Sequence, residues 1–88
     1  MPSARKAVVE QIASARELLA INMIRLRKSF GWSQDELALE AGLHRTFIAH
    51  VERQKRNISL DNVERIAVAL DVPLRELFAP LTIANARS

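Results

Sequence analysis

The sequence predicts an all-α domain of five helices, on three observations. Apolar residues recur every three or four positions along most of the chain, the period of a helix. Ser, Gly and Pro residues at cap and turn positions divide that pattern into separate segments. No segment shows the strict alternation of a half-buried strand.

The first stripe is Val8, Ile12, Ala15, Leu19, Met23, Leu26 and Phe30. It predicts one unbroken helix from Ala4 to Phe30, since no Gly or Pro interrupts it after Pro2. Leu18, Ile21 and Ile24 widen the apolar face of its second half, which is expected in the core. Gly31 is a stop, because glycine reaches left-handed backbone angles cheaply. Ser33-Gln34-Asp35-Glu36 is a capping box, with Trp32 and Leu37 spaced as a hydrophobic staple around it. Helix two follows from Gln34 to Ala41, with Leu37, Ala38 and Ala41 inward.

Gly42 gives a sharp reversal, and helix three runs from about Arg45 to Arg53 with Phe47, Ile48 and Val51 inward. A small residue at Ala38 lets this helix approach closely, where a leucine would overpack. Two short helices joined so tightly read as a helix-turn-helix. Gln54 to Asn57 form a polar, basic loop. Ser59 caps helix four, with Leu60, Val63, Ile66, Ala67 and Leu70 on one face. Pro73 suits the first turn of a final helix, Leu74 to Phe78, which Pro80 stops. One domain is expected over residues 1–88: a core over 19–78, an N-terminal helical extension over 4–18 and a loose tail over 80–88.

Composition bounds the class. The chain is 49% hydrophobic and 26% charged, the balance of a globular domain rather than a disordered tail. With no cysteine there are no disulfides and no thiolate metal sites. The uncharged run from Leu18 to Ile24 falls far short of the roughly 20 residues a bilayer crossing needs. No secretory apolar run follows the basic start, so a cytoplasmic protein with no membrane partner is expected.

The net charge of +3 is unevenly placed. Residues 25–57 hold seven basic side chains (Arg25, Arg27, Lys28, Arg45, Arg53, Lys55, Arg56) against four acidic ones, whereas residues 58–88 are slightly acidic. A polyanion is drawn to the middle of the chain.

The order Leu26-Arg27-Lys28, Ser33-Gln34-Asp35-Glu36-Leu37-Ala38, Ala41-Gly42-Leu43, Phe47-Ile48 and Val51-Glu52-Arg53 resembles the helix-turn-helix family typified by phage repressors and Cro proteins. The resemblance covers about Leu19 to Phe78. It implies the five-helix, lambda-repressor-like DNA-binding domain, here with an extended N-terminal helix. Within that family, Leu43-His44-Arg45-Thr46-Phe47-Ile48 and Glu52-Arg53-Gln54-Lys55-Arg56-Asn57 resemble the controller proteins of restriction–modification systems. That likeness implies a small homodimer on a palindromic double-stranded DNA operator, as repressor or activator. An activator of this kind would also meet RNA polymerase. The chain departs from the controllers in its longer N-terminal extension, and in Ala49, where they often carry a small polar residue. In controller-like relatives the last helix carries the dimer contact, which implies Leu77 and Phe78 here, with Leu74 and Leu81 adding apolar surface. The same residues would equally close the core, and Val8, Ile12 and Ala15 offer a rival dimer surface.

The residues themselves assign roles in such an interface. A helix in the major groove meets base edges with its N-terminal residues. Arg45, Thr46, Ala49 and His50 are the candidate base readers. Arg45 matches guanine O6 and N7 with two parallel hydrogen bonds, and the Ala49 methyl suits a thymine methyl. Gln34 and Ser33 stand at the electropositive start of helix two, where phosphate is favoured. Arg53, Lys55, Arg56 and Asn57 follow the recognition helix as phosphate clamps, and Arg27 or Lys28 adds a contact from helix one. Glu52, acidic in a basic zone, is expected to orient an arginine, either Arg27 or Arg56.

Other chemistries find little support. His44 and His50 lie six residues apart with no third ligand, so no metal or other cofactor is expected. No nucleophile has a base and an orienting partner, so no enzyme is expected. The long first helix keeps one alternative open: an antitoxin or other interaction module that also binds its own promoter.

Overall fold

The structure, a computed structural model, describes residues 14–80. It contains four α-helices in this range: α1 (Ala15–Ser29), α2 (Gln34–Ala41), α3 (Arg45–Glu52) and α4 (Leu60–Ala69). A single 3-10 turn, Leu74–Phe78, closes the described chain. The expected fifth helix is therefore a correction. Pro73 precedes the segment and Pro80 follows it, and Pro80 has no N–H for the carbonyl of Glu76. The amide of Ala79 bonds that carbonyl instead, and Glu76 N–H bonds the Pro73 carbonyl at 2.9 Å, both with 3-10 spacing.

The single helix from Ala4 to Phe30 is also corrected. α1 begins at Ala15, and Ser14 is its N-cap, in extended conformation with its Oγ accepting from Glu17 N–H at 3.2 Å. Ser14-Ala15-Arg16-Glu17 carries the serine-to-glutamate spacing of a helix start, the same signature read at Ser33. The remainder of the proposed extension, with Val8 and Ile12, lies outside the described residues, as does the tail from Leu81.

Every helix starts at a capped or extended residue. Ser33 makes the full capping box: its Oγ accepts from Glu36 N–H, and its own N–H donates to Glu36 Oε1 at 2.8 Å. Ser59 Oγ accepts from Asn62 N–H. Gly42 ends α2 in the left-handed region at φ 71°, and Leu43 N–H reaches back to the Ala38 carbonyl. The turn thus closes in three residues before α3 begins.

The core is one cluster. α1 contributes Leu19, Met23 and Leu26; α2 contributes Leu37, Ala38 and Ala41. α3 adds Ile48 and Val51; α4 adds Val63, Ile66, Ala67 and Leu70; and Leu77 enters from the terminal turn. Each large side chain there stabilises the fold by about 1.5–3 kcal/mol over its exposed state. The buried side of α1 is narrower than its sequence suggests. Ile21, Phe30 and Ala15 are exposed, and Leu18 and Ile24 are half-buried. Leu60 is 79% exposed, because as the first residue of α4 it projects past the core.

A polar residue sits inside the apolar side of α1. Asn22 is buried, and its Nδ2 lies within hydrogen-bonding distance of the carbonyls of Leu18 (2.9 Å), Leu77 (3.2 Å) and Ala79 (3.0 Å). Its Oδ1 accepts from Arg25 Nη2 at 3.0 Å. This one amide fastens the terminal turn to α1. Asn22→Ala takes this donor from the Leu77 and Ala79 carbonyls, and is expected to lower stability by about 1–3 kcal/mol in urea unfolding. A loss within experimental error shows that the turn is held by Leu77 packing alone.

Candidate nucleic-acid interface

α3 is held from behind by one carboxylate. Glu52 Oε2 accepts from Arg27 Nε at 2.7 Å, and Oε1 accepts from Arg27 Nη2 at 2.9 Å and Gln34 Nε2 at 2.8 Å. Arg27 Nη1 donates to the Trp32 carbonyl at 3.1 Å. The network joins the end of α1, the turn after it, the start of α2 and the last residue of α3. Its side chains are only 12% exposed for Arg27 and 3% for Glu52. The paired carboxylate raises the arginine's already high pKa, chiefly through the hydrogen bond, against the opposing effect of burial. A base whose pKa rises on folding contributes stability that is lost only as pH climbs through that value. Arg27 therefore adds no pH dependence below the strongly alkaline range.

With α3 fixed, its two sides separate. Arg45 and Thr46 are exposed at its N-terminal end, and His50 is half-buried. Ala49 does not join them. It is 7% exposed, on the flank that Glu52 continues three residues later, so the chain's own helices cover the methyl expected to meet a thymine. Arg45 Nε stands 3.4 Å from Asp35 Oδ1 at the start of α2.

The basic loop after α3 is exposed throughout: Arg53, Gln54, Lys55, Arg56 and Asn57. Gln54 takes φ 62°, and Lys55 N–H bonds the His50 carbonyl at 2.8 Å, which turns the chain sharply off the helix end. Arg56 lies over the Phe47 ring, 5.3 Å from its centroid. Arg16 Nη2, from the first turn of α1, donates to Asn57 Oδ1. Arg16 was not legible as part of this surface, because 41 residues separate the two partners.

Lys28 and Ser33 are exposed, and the Ser33 hydroxyl already accepts the capping hydrogen bond. Gln34 is half-buried and reaches α3 through Glu52. Arg27 is not a free phosphate ligand, since Nε, Nη1 and Nη2 are all engaged within the protein. Of the expected dimer residues, Leu74 is exposed and Phe78 is half-buried. Leu77 is fully buried in its own core and offers nothing to a second chain. Leu81 lies outside the described residues. No group of three or more His, Cys, Asp or Glu residues is placed to hold a metal among the described residues. Nor is any described helix long and apolar enough to cross a membrane.

Glu52→Ala strands the Arg27 guanidinium and is expected to cost about 3–5 kcal/mol in urea unfolding. The double replacement Arg27→Met with Glu52→Leu should recover much of that loss. If the single variant costs under about 1 kcal/mol, the network does not hold α3.

Comparison with known proteins places this arrangement in a family. The sequence profile of the helix-turn-helix family matches residues 23–77. The chain is 49% identical over 65 residues to control protein C.BamHI of Bacillus amyloliquefaciens, covering 74% of this chain and 79% of that one. It is 48% identical over 65 residues to a hypothetical transcription factor of Neisseria meningitidis, covering 74% of this chain but only 61% of the relative's length. The crystal structure of a Neisseria hypothetical transcription factor superposes with a TM-score of 0.77 at 41% identity, over 85% of this chain and 86% of that one. The restriction–modification controller protein C.AhdI of Aeromonas hydrophila superposes with a TM-score of 0.69, also at 41% identity, over 72% and 96%. With a family profile matched over residues 23–77 and this identity and superposition, the chain belongs to the helix-turn-helix regulators of the phage-repressor type, close to the restriction–modification controllers.

Proposed function

We propose that this chain is a controller-like transcriptional regulator that binds a palindromic double-stranded DNA operator as a homodimer in the cytoplasm. One α3 enters the major groove in each half-site. Residues 1–88 act as a single domain whose core spans 19–78. The observation that carries this reading is the exposure of Arg45 and Thr46 at the leading end of a helix whose other side is pinned by Glu52. A base-reading helix needs that combination, because a loosely held helix cannot keep donors in register with base edges.

Arg45 reads a guanine, and Thr46 contacts a base edge or the adjacent phosphate. His50, further along α3, reaches the groove with less of its surface. Lys28, Ser33, Gln34, Arg53, Lys55, Arg56 and Asn57 meet phosphates on either side. Arg56 stacked on Phe47 is pre-positioned for this, so less side-chain entropy is lost when it binds. Leu74 and Phe78 supply apolar surface for the dimer. Identity to C.BamHI and C.AhdI supports the controller assignment.

Selection of bound duplexes from a randomised pool supplies the operator for the test. The selected sequence should be a two-fold repeat with half-sites about one helical turn apart. Arg45→Ala should lose about 1–3 kcal/mol of discrimination at one base pair per half-site. Lys55→Ala and Arg56→Ala should weaken all duplexes alike, each lowering the slope of log affinity against log salt by about 1 per chain. Equal affinity for selected and scrambled duplexes overturns the reading.

A further inference from the structure

Asp35 is an acid on the surface offered to DNA. Its side chain is 72% exposed, one residue into α2, beside Gln34 and across from the leading end of α3. A carboxylate there repels phosphates, and the helix start does not require it. Glu36 already completes the capping box, and the Ser33 hydroxyl accepts the first free amide. What Asp35 does touch is Arg45: Oδ1 lies 3.4 Å from Arg45 Nε, with 64% of the arginine side chain exposed.

The atom matters more than the pairing. An arginine presents two donor edges to a guanine, either its two terminal nitrogens or Nε with one terminal nitrogen. A carboxylate at Nε takes the second edge and leaves the end-on pair, which matches O6 and N7. Without that partner, a long side chain at an exposed position samples many rotamers and either edge. In free solution so exposed a pair is worth little. In a groove that excludes water, the same contact strengthens, because the local dielectric falls.

We propose that Asp35 is a specificity-determining residue that acts through Arg45: it holds Nε so that the guanidinium meets guanine end-on. The inference rests on the reading of Arg45 as a base reader. Asp35 gives up some affinity for DNA in general, through its charge, and gains discrimination at one base pair. Removing it therefore has opposite effects on the two quantities, which loss of a plain stabilising contact does not produce.

The test compares wild-type protein with Asp35→Ala, Asp35→Asn and Arg45→Ala on the selected duplex, on single-base-pair variants of it and on a scrambled duplex. Circular-dichroism melting of each variant confirms the fold. Asp35→Ala should bind scrambled duplex about twofold or more tighter, from the lost repulsion. It should lose about three- to tenfold of the discrimination at the base pair that Arg45→Ala identifies. Asp35→Asn keeps an acceptor oxygen for Nε, so it should retain most of that discrimination while sharing the gain on scrambled DNA. A uniform gain on all duplexes, with discrimination unchanged in Asp35→Ala, overturns the proposal and leaves Asp35 as a charge near the phosphates. Equal loss of discrimination in Asp35→Asn and Asp35→Ala also overturns it, since an acceptor at Nε is then not what counts. If Arg45→Ala itself leaves discrimination intact at every base pair, the reading of Arg45 fails first and the proposal falls with it.

Discussion

The carboxylate of Glu52 is the constraint on which the rest of the structure depends. A helix of eight residues has too few backbone hydrogen bonds to be stable alone, so α3 takes its position from what it packs against. Ile48 and Val51 supply the apolar part, and they would tolerate some rotation and sliding. Glu52 removes that freedom. Two parallel hydrogen bonds from Arg27 fix the plane of the carboxylate, and Gln34 fixes its distance from α2. A buried ion pair of this kind is weak support for overall stability, because desolvation offsets the attraction. Its effect is to select one geometry among several that would bury similar area.

The same logic separates the charges of the molecule by task. Arg27 is buried in holding α3, and Arg25, though exposed, donates to Asn22 beside the terminal turn, so neither joins the basic loop of Arg53 to Arg56. Arg16 joins that exposed group from a distance, through Asn57. Basic composition alone does not distinguish these roles. What distinguishes them is where each guanidinium is held: Arg27 against Glu52, Arg25 against Asn22, Arg16 against the basic loop itself.

Much of the fold was legible from local chemistry. Ser33 with Glu36, Gly42 and Ser59 each set a helix boundary through contacts within a few residues, so the sequence contains all the partners. The partnership of Glu52 with Arg27 was narrowed to two arginines by charge alone. The start of α1 was missed although Ser14 and Glu17 carry the same spacing as Ser33 and Glu36, because the apolar stripe runs through it unbroken. The terminal turn was read as a helix because five residues between prolines give no periodicity to test. Asn22, Ala49 and the Arg45–Asp35 pair were illegible for a different reason. Each depends on how elements distant in sequence pack together, and that comes from tertiary structure rather than from any spacing along the chain.

On this reading α3 is presented to the duplex as it already stands, with its buried flank undisturbed. The crystal structure of the chain bound to a duplex it selects measures this most directly. The expected result is α3 in the major groove, Arg45 within hydrogen-bonding distance of a base edge, and the Glu52–Arg27 hydrogen bonds unchanged. A complex in which DNA lies against α4 or the terminal turn, or in which Arg27 leaves Glu52 to bind a phosphate, would contradict it.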